Sequence, residues 1–138
     1  MTASESARTR PRVSLDQEQA ELVALSCLAS GPLYGYALAK RVAAISGGEI
    51  KLGPGVLYPL LARLENAGLV RTSWEEIKAG GKGPGETGRR RKWYRLTPKG
   101  KRRLEGRVRE HRARLALMEL FIGQADGPGH VQQAGGES

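Results

Sequence analysis

A chain of 138 residues with 39% hydrophobic residues and only 5% aromatics has material for one domain with a small core. Its 23 Lys and Arg against 14 Asp and Glu give a formal net charge of +9, which points to a polyanionic partner, nucleic acid before any other. A single cysteine excludes an intramolecular disulfide framework and suits a reducing cytosol, so a cytoplasmic location is expected.

The charge is uneven. From Arg89 to Arg114 thirteen Lys or Arg stand against Glu105 and Glu110, whereas Leu15–Ser30 carries Asp16, Glu18 and Glu21 and no base. No apolar run is long enough to span a bilayer and no h-region opens the chain, so no membrane partner and no secretory signal are expected.

Residues 1–13 are polar, with Arg8, Arg10 and Arg12 among them, and read as a disordered basic arm. Ser14 and Gln17 have capping-box spacing and predict a first helix to about Ser30, with Leu22, Leu25, Cys27 and Leu28 apolar and Ala24 and Ala29 allowing close packing. Gly31-Pro32 stops it. A second helix is expected from about Tyr34 to Ser46, with Leu38, Val42 and Ile45 on one face and Lys40 and Arg41 on the other. Gly47-Gly48 ends it.

Lys51–Gly68 predicts a third helix with Gly53 as N-cap, Pro54 at the first helical position and Gly68 as a left-handed stop. Val56, Leu57, Leu60, Leu61 and Leu64 recur at helical spacing and call for burial on one side. Tyr58 and Arg63 fall off that side, and Lys51 lies just before the start. Such a helix fits a DNA major groove.

Leu69–Glu76 and Arg89–Leu96 read as strands around a loop, Ile77–Gly88, too rich in Gly, Lys and Pro to build a core. Alternation puts Lys92, Tyr94 and Leu96 on one face of the second strand and Arg91, Trp93 and Arg95 on the other. Such a hairpin is marginal alone and should lean on the helices through Leu69, Tyr94 and Leu96. Thr97-Pro98 is a cap followed by proline, and a long helix is expected to about Ile122. Leu104, Val108, His111, Leu115, Met118 and Ile122 follow a heptad seam that a second copy of the chain would bury. The tail from Gln124 reads as disordered.

The runs GPLYGYALAKR (31–41), LGPGVLYPLLARLENAGLV (52–70) and RRRKWYRLTPKGKRRLE (89–105) together resemble the PadR family of bacterial transcription regulators, over roughly Leu22 to Glu105. The resemblance implies a mainly α fold with a small β-hairpin: a winged helix-turn-helix over 14–97, a C-terminal dimerisation helix over 98–123, and a tail over 124–138. It implies a homodimer that represses by binding an inverted repeat in double-stranded DNA, with the third helix in the major groove and the wing on the backbone. Carried over by position, Tyr36 and Lys40 face phosphates. Lys51, Gly55, Val56, Tyr58 and Pro59 lie at the groove, and Arg89, Arg90, Arg91 and Lys92 are wing contacts. The dimer interface falls to Leu22, Leu104, Val108, His111, Leu115, Met118 and Ile122. The chain departs from the family pattern at Gly53, where Ser is usual, at Val56, where Thr is usual, and in a longer wing loop.

Each site has a plainer alternative. Arg63 can pair with Glu65, Tyr58 can be a core aromatic packed on Leu57 or Leu61, and the Arg89–Lys92 cluster can be a solvated face. Gly83–Gly88 matches G-x-G-x-x-G, but Pro84 interrupts it and a basic strand follows, so no nucleotide site is read there. Cys27 reads as a buried apolar side chain, and His111, His130 and Cys27 make no metal site. No nucleophile–base spacing suggests an enzyme, and no cofactor is expected. The alternative functions are a sensor released from DNA by an apolar small-molecule effector at the dimer interface, and a basic module binding nucleic acid without sequence preference.

Overall fold

The computed structural model describes residues 13–77 and 90–126. The expected basic arm up to Arg12, the glycine-rich loop from Lys78, Arg89, and the tail from Gly127, with His130, lie outside the described residues. Four helices, α1 (Gln17–Leu28), α2 (Gly35–Ile45), α3 (Pro54–Asn66) and α4 (Pro98–Ala125), accompany three strands, β1 (Leu33–Tyr34), β2 (Val70–Glu76) and β3 (Arg90–Leu96). The strands form an antiparallel sheet in the order β1-β3-β2.

The cap of α1 is Asp16, not Ser14. Its carboxylate accepts from the Gln19 amide at 2.7 Å, and the Gln19 side chain accepts from the Asp16 amide at 3.0 Å, a complete capping box two residues later than expected. An ionised carboxylate suits the positive end of a helix better than a hydroxyl does. The helix ends at Leu28, short of Ser30.

Strand β1 was not legible. Leu33 and Tyr34 are too few to alternate, and their extended state depends on pairing with Tyr94 and Trp93 of β3. The hairpin is therefore a three-stranded sheet, tied to the start of α2.

The core gathers Leu25, Leu28, Leu38, Val42, Leu57, Leu60, Leu61, Leu64, Leu69 and Tyr94, with Leu96 and Leu104 packed partly against it. Burying each such side chain contributes about 1.5–3 kcal/mol. Two expected core residues are out. Ile45 is 73% exposed, in the last position of α2 and past the last core contact at Val42. Val56 is 55% exposed, because it stands about 100° around α3 from Leu57, at the edge of the apolar stripe. Leu52, buried just ahead of α3, takes up core space instead.

Gly68 ends α3 with φ +76°, and the Leu69 amide donates to the Leu64 carbonyl at 2.9 Å. Chain direction then reverses into β2. The return from β3 locks onto the same corner. Thr97 donates its hydroxyl to the Gly68 carbonyl at 2.7 Å and accepts the Gly100 amide at 2.9 Å, while Lys99 donates to the Ala67 carbonyl at 3.0 Å. Gly100 is buried, and a Cβ there would come within 2.0 Å of the Leu69 carbonyl oxygen. Arg103 pairs with Glu21 of α1 at 3.2 Å.

The chain divides into two units, Met1–Leu104 and Glu105–Ser138. In the second, α4 continues to Ala125, so Gln124 is helical and not part of a tail. Leu115, Met118 and Ile122 of the expected seam are exposed, and so are Leu117, Leu120 and Phe121, which the heptad reading left out. At 100° per residue Leu117 and Leu120 fall on the other side of the helix from the seam and Phe121 flanks it, so the last turns of α4 are apolar nearly all round.

Candidate nucleic-acid interface

The exposed side of α3 is set by the burial of the other. With Leu57, Leu60, Leu61 and Leu64 in the core, Gly55, Val56, Tyr58, Pro59 and Arg63 face outward. Lys51 is exposed just before the helix. Arg63 does not take Glu65. The Glu65 carboxylate accepts from the Thr72 hydroxyl at 3.1 Å and meets the Lys92 ammonium at 3.7 Å, holding β2 and β3 to α3.

Tyr58 is 47% exposed, and its ring does not lie in the core. It rests against the backbone of Gly35, where a Cβ would meet the phenol oxygen at 2.7 Å and ring carbons at 2.9 and 3.1 Å. Glycine at the start of α2 is what lets α3 bring this phenol to the surface beside α2. Tyr36, one residue on, is 63% exposed, with the Lys40 ammonium 5.4 Å from its ring centre one turn later.

The sheet adds the cations. Directly opposed residues share a face, so Trp74 and Lys92 stand on the side that meets α3, with Thr72 and Tyr94. The Arg90 guanidinium lies 4.5 Å from the Trp74 ring centre, and Lys92 lies 5.5 Å from it. On the other side Arg91 lies 4.2 Å from the Tyr34 ring, which packs edge-on to Trp93 at 5.3 Å. Trp93 in turn donates its indole N–H to Glu75 at 2.8 Å. Each guanidinium is thus within cation–π range of an aromatic ring, which helps to hold it in place.

These elements enclose a cleft of about 430 Å³ lined by Tyr34, Gly35, Tyr36, Tyr58, Trp74, Arg90, Arg91, Lys92 and Tyr94. It brings together Tyr36, Tyr58, Arg90, Arg91 and Lys92 of the expected contacts. Lys40, Lys51, Gly55, Val56, Pro59 and Arg63 lie outside it, on α2, α3 and the segment between. Tyr34 and Trp74 are additions. The signal for Trp74 was its place opposite Lys92 once the strands are paired; for Tyr34 no local signal existed, because β1 is defined by β3.

Burial raises the Tyr94 phenol above its ordinary value, with smaller contributions from Tyr58 and Glu65. Burial likewise raises the Cys27 thiol, opposed by Arg41, which the fold and not the local spacing brings near. Among the described residues there is no cluster of His, Cys, Asp and Glu able to hold a metal ion, and no helix is long and apolar enough to cross a membrane.

The model of the Transcriptional regulator PadR-like family matches residues 24–106. Over 86 residues the chain is 41% identical to an uncharacterized 37.1 kDa protein in transposon TN4556 of Streptomyces fradiae, covering 62% of this chain and 21% of that protein. The chain thus spans about a fifth of the length of that curated relative. Among solved structures it is similar to a PadR family transcription regulator from Clostridium difficile, with TM-score 0.60 and 30% identity over 75% of this chain and 97% of the other. A transcriptional regulator from Clostridium thermocellum matches in fold, with TM-score 0.64 and 22% identity over 88% and 99%. With residues 24–106 covered, the chain belongs to the PadR-like family of transcriptional regulators, and its fold is the winged helix-turn-helix.

Proposed function

We propose that this chain is a cytoplasmic repressor that binds an inverted-repeat operator as a homodimer, with no enzymatic activity of its own. The observation that carries the reading is one cleft in which Tyr58 of α3 meets Arg90 and Arg91 of the wing, each guanidinium over an aromatic ring. Phosphate contacts fix register and base-edge contacts specify sequence. In this reading Arg90 and Arg91 hold the backbone from the wing, joined by Tyr36 and Lys40 of α2 and by Arg89. Lys51 and Arg63 supply charge at the ends of α3. Lys92 already has a carboxylate within the chain and contributes by fixing the wing to α3. Bases are read by Gly55, Val56, Tyr58 and Pro59, with the Val56 methyls available to thymine.

The dimer rests on the exposed side chains of α4. Leu115, Met118 and Ile122 are uncovered in the single chain, and a second copy would bury them along with Leu104, Val108 and His111, with Leu22 of α1 at the margin. A two-fold dimer presents two α3 helices, which calls for two half-sites.

Selection of bound duplexes from a random pool tests the reading. It should return an inverted repeat, bound by two copies of the chain. Enrichment without a common sequence would instead indicate a basic module with no base readout.

A further inference from the structure

Two residues of α3, Gly55 and Pro59, work against its stability. In the helical ladder the Gly55 carbonyl accepts the amide of residue 59. Residue 59 is proline, inside the helix, and has no N–H to give. At the helix start the Val56 and Leu57 amides both donate to the Gly53 carbonyl at 3.0 and 2.8 Å, and Gly53 offers no side-chain cap. The Gly55 carbonyl is therefore the acceptor that the ladder leaves open, and Gly55 and Pro59 are both exposed.

Gly55 itself has no steric reason to be glycine. A Cβ there would meet nothing within 4 Å, and its φ is not among the positive values found at Gly31, Gly47, Gly48 and Gly68. Alanine would favour the helix, both by propensity and by lower entropy loss. A glycine that the protein does not need, next to a carbonyl that its own proline frees, suits an approach by something outside the chain.

We propose that the Gly55 carbonyl, released by Pro59, is a specificity determinant. It accepts a hydrogen bond from the exocyclic amine of adenine or cytosine in the major groove, and the bare Cα of Gly55 lets the backbone come close enough. The amine is the complementary partner because adenine and cytosine present a donor on that edge, whereas guanine and thymine present acceptors there. This rests on the DNA-binding reading above and adds the backbone atom that discriminates.

The test uses the full chain and the duplex returned by selection, with each base pair of one half-site changed in turn. Wild type should lose about tenfold in affinity where an amine-bearing base is replaced by thymine or guanine at one position. Pro59→Ala supplies the missing N–H within the helix. It should flatten discrimination at that position, with the same or a higher melting temperature. Gly55→Ala should weaken binding to every duplex containing the half-site while leaving the melting temperature unchanged or raised. If both variants keep wild-type affinity and discrimination, the inference fails while the DNA-binding reading stands. If Gly55→Ala lowers the melting temperature, glycine serves the fold and the inference also fails. A wild-type protein without sequence preference would overturn both.

Discussion

The phenol of Tyr58 occupies the space where Gly35 would carry a Cβ, 2.7 Å from the phenol oxygen. This pairing joins the start of α2 to the outward face of α3. Because Tyr58 is half-exposed, a methyl at position 35 would turn the ring outward more readily than it would unfold the chain. Gly35→Ala should leave the fold in place and weaken operator binding about as much as Tyr58→Ala does. The double variant should lose no more than either single one, since both remove the same contact. Anisotropy titrations of the three variants check this; additive losses would mean that the two residues act separately.

Gly100 makes a different demand. Its neighbour is backbone: a Cβ would lie 2.0 Å from the Leu69 carbonyl oxygen and 3.0 Å from its carbon. That carbonyl, just past α3, accepts the Thr97 amide at 3.1 Å and has no room to move away. Gly100→Ala should destabilise by about 3 kcal/mol or more, at the upper end of overpacking effects. Gly106→Ala, in the same helix, where a Cβ would meet only the end of the Arg109 side chain at 3.9 Å, should be stabilising by about 0.5–1 kcal/mol. Urea unfolding of the two variants separates a packing glycine from an ordinary helical one.

The contrast shows what the amino-acid pattern reveals and what it conceals. The leucines of α3 and the Gly53–Pro54 start are local signals, and they place the start of that helix to the residue. Gly35 and Gly100 are indistinguishable from Gly106 until the partner that fills their missing side chain is known, and those partners lie 23 and 31 residues away in sequence, at Tyr58 and Leu69. The same holds for β1, whose two residues are extended because β3 lies beside them. The charge of the wing was legible. Its division into Arg90 on Trp74, Arg91 on Tyr34 and Lys92 on Glu65 depends on strand register and on the packing of β2 and β3 against α3. On α4 a strict heptad count found Leu115, Met118 and Ile122 but passed over Leu117, Leu120 and Phe121, which have no place in that period.

Arg90→Ala with Arg91→Ala should weaken binding to all duplexes alike and leave the dimer intact. If each arginine neutralises one phosphate, the log–log salt slope should become shallower by about 2, roughly 0.9 for each contact removed. Trp74→Ala should reproduce part of the Arg90 loss by freeing its guanidinium. Titrations across salt concentrations measure both slopes.

Leu115→Asp places a carboxylate in the exposed apolar face of α4 and should shift the protein toward monomer in sedimentation. The melting profile of Met1–Leu104 should change little, because its core is complete without that face. A variant that stays dimeric would move the interface to another surface.

Stability should fall in alkali. The Cys27 thiol and the Tyr94 phenol are both raised above their ordinary values, first of all by burial. For an acid raised in the folded state, the contribution is fully present below the ordinary value and is lost as pH rises through the folded one. The loss should begin as pH enters the usual thiol range and continue through that of tyrosine. Cys27→Ala should remove the earlier part, read from melting temperatures across pH. In the native protein Cys27 should also resist thiol reagents until unfolding.

The central claim is that this fold reads bases and does not merely attract a polyanion. The most direct measurement is the affinity for the selected operator and for a shuffled duplex of the same composition, each followed across salt. Both should weaken with salt, but the operator should remain tighter by about a thousandfold or more throughout. Two coincident curves would contradict the claim, leaving the cations of the wing to account for all of the binding.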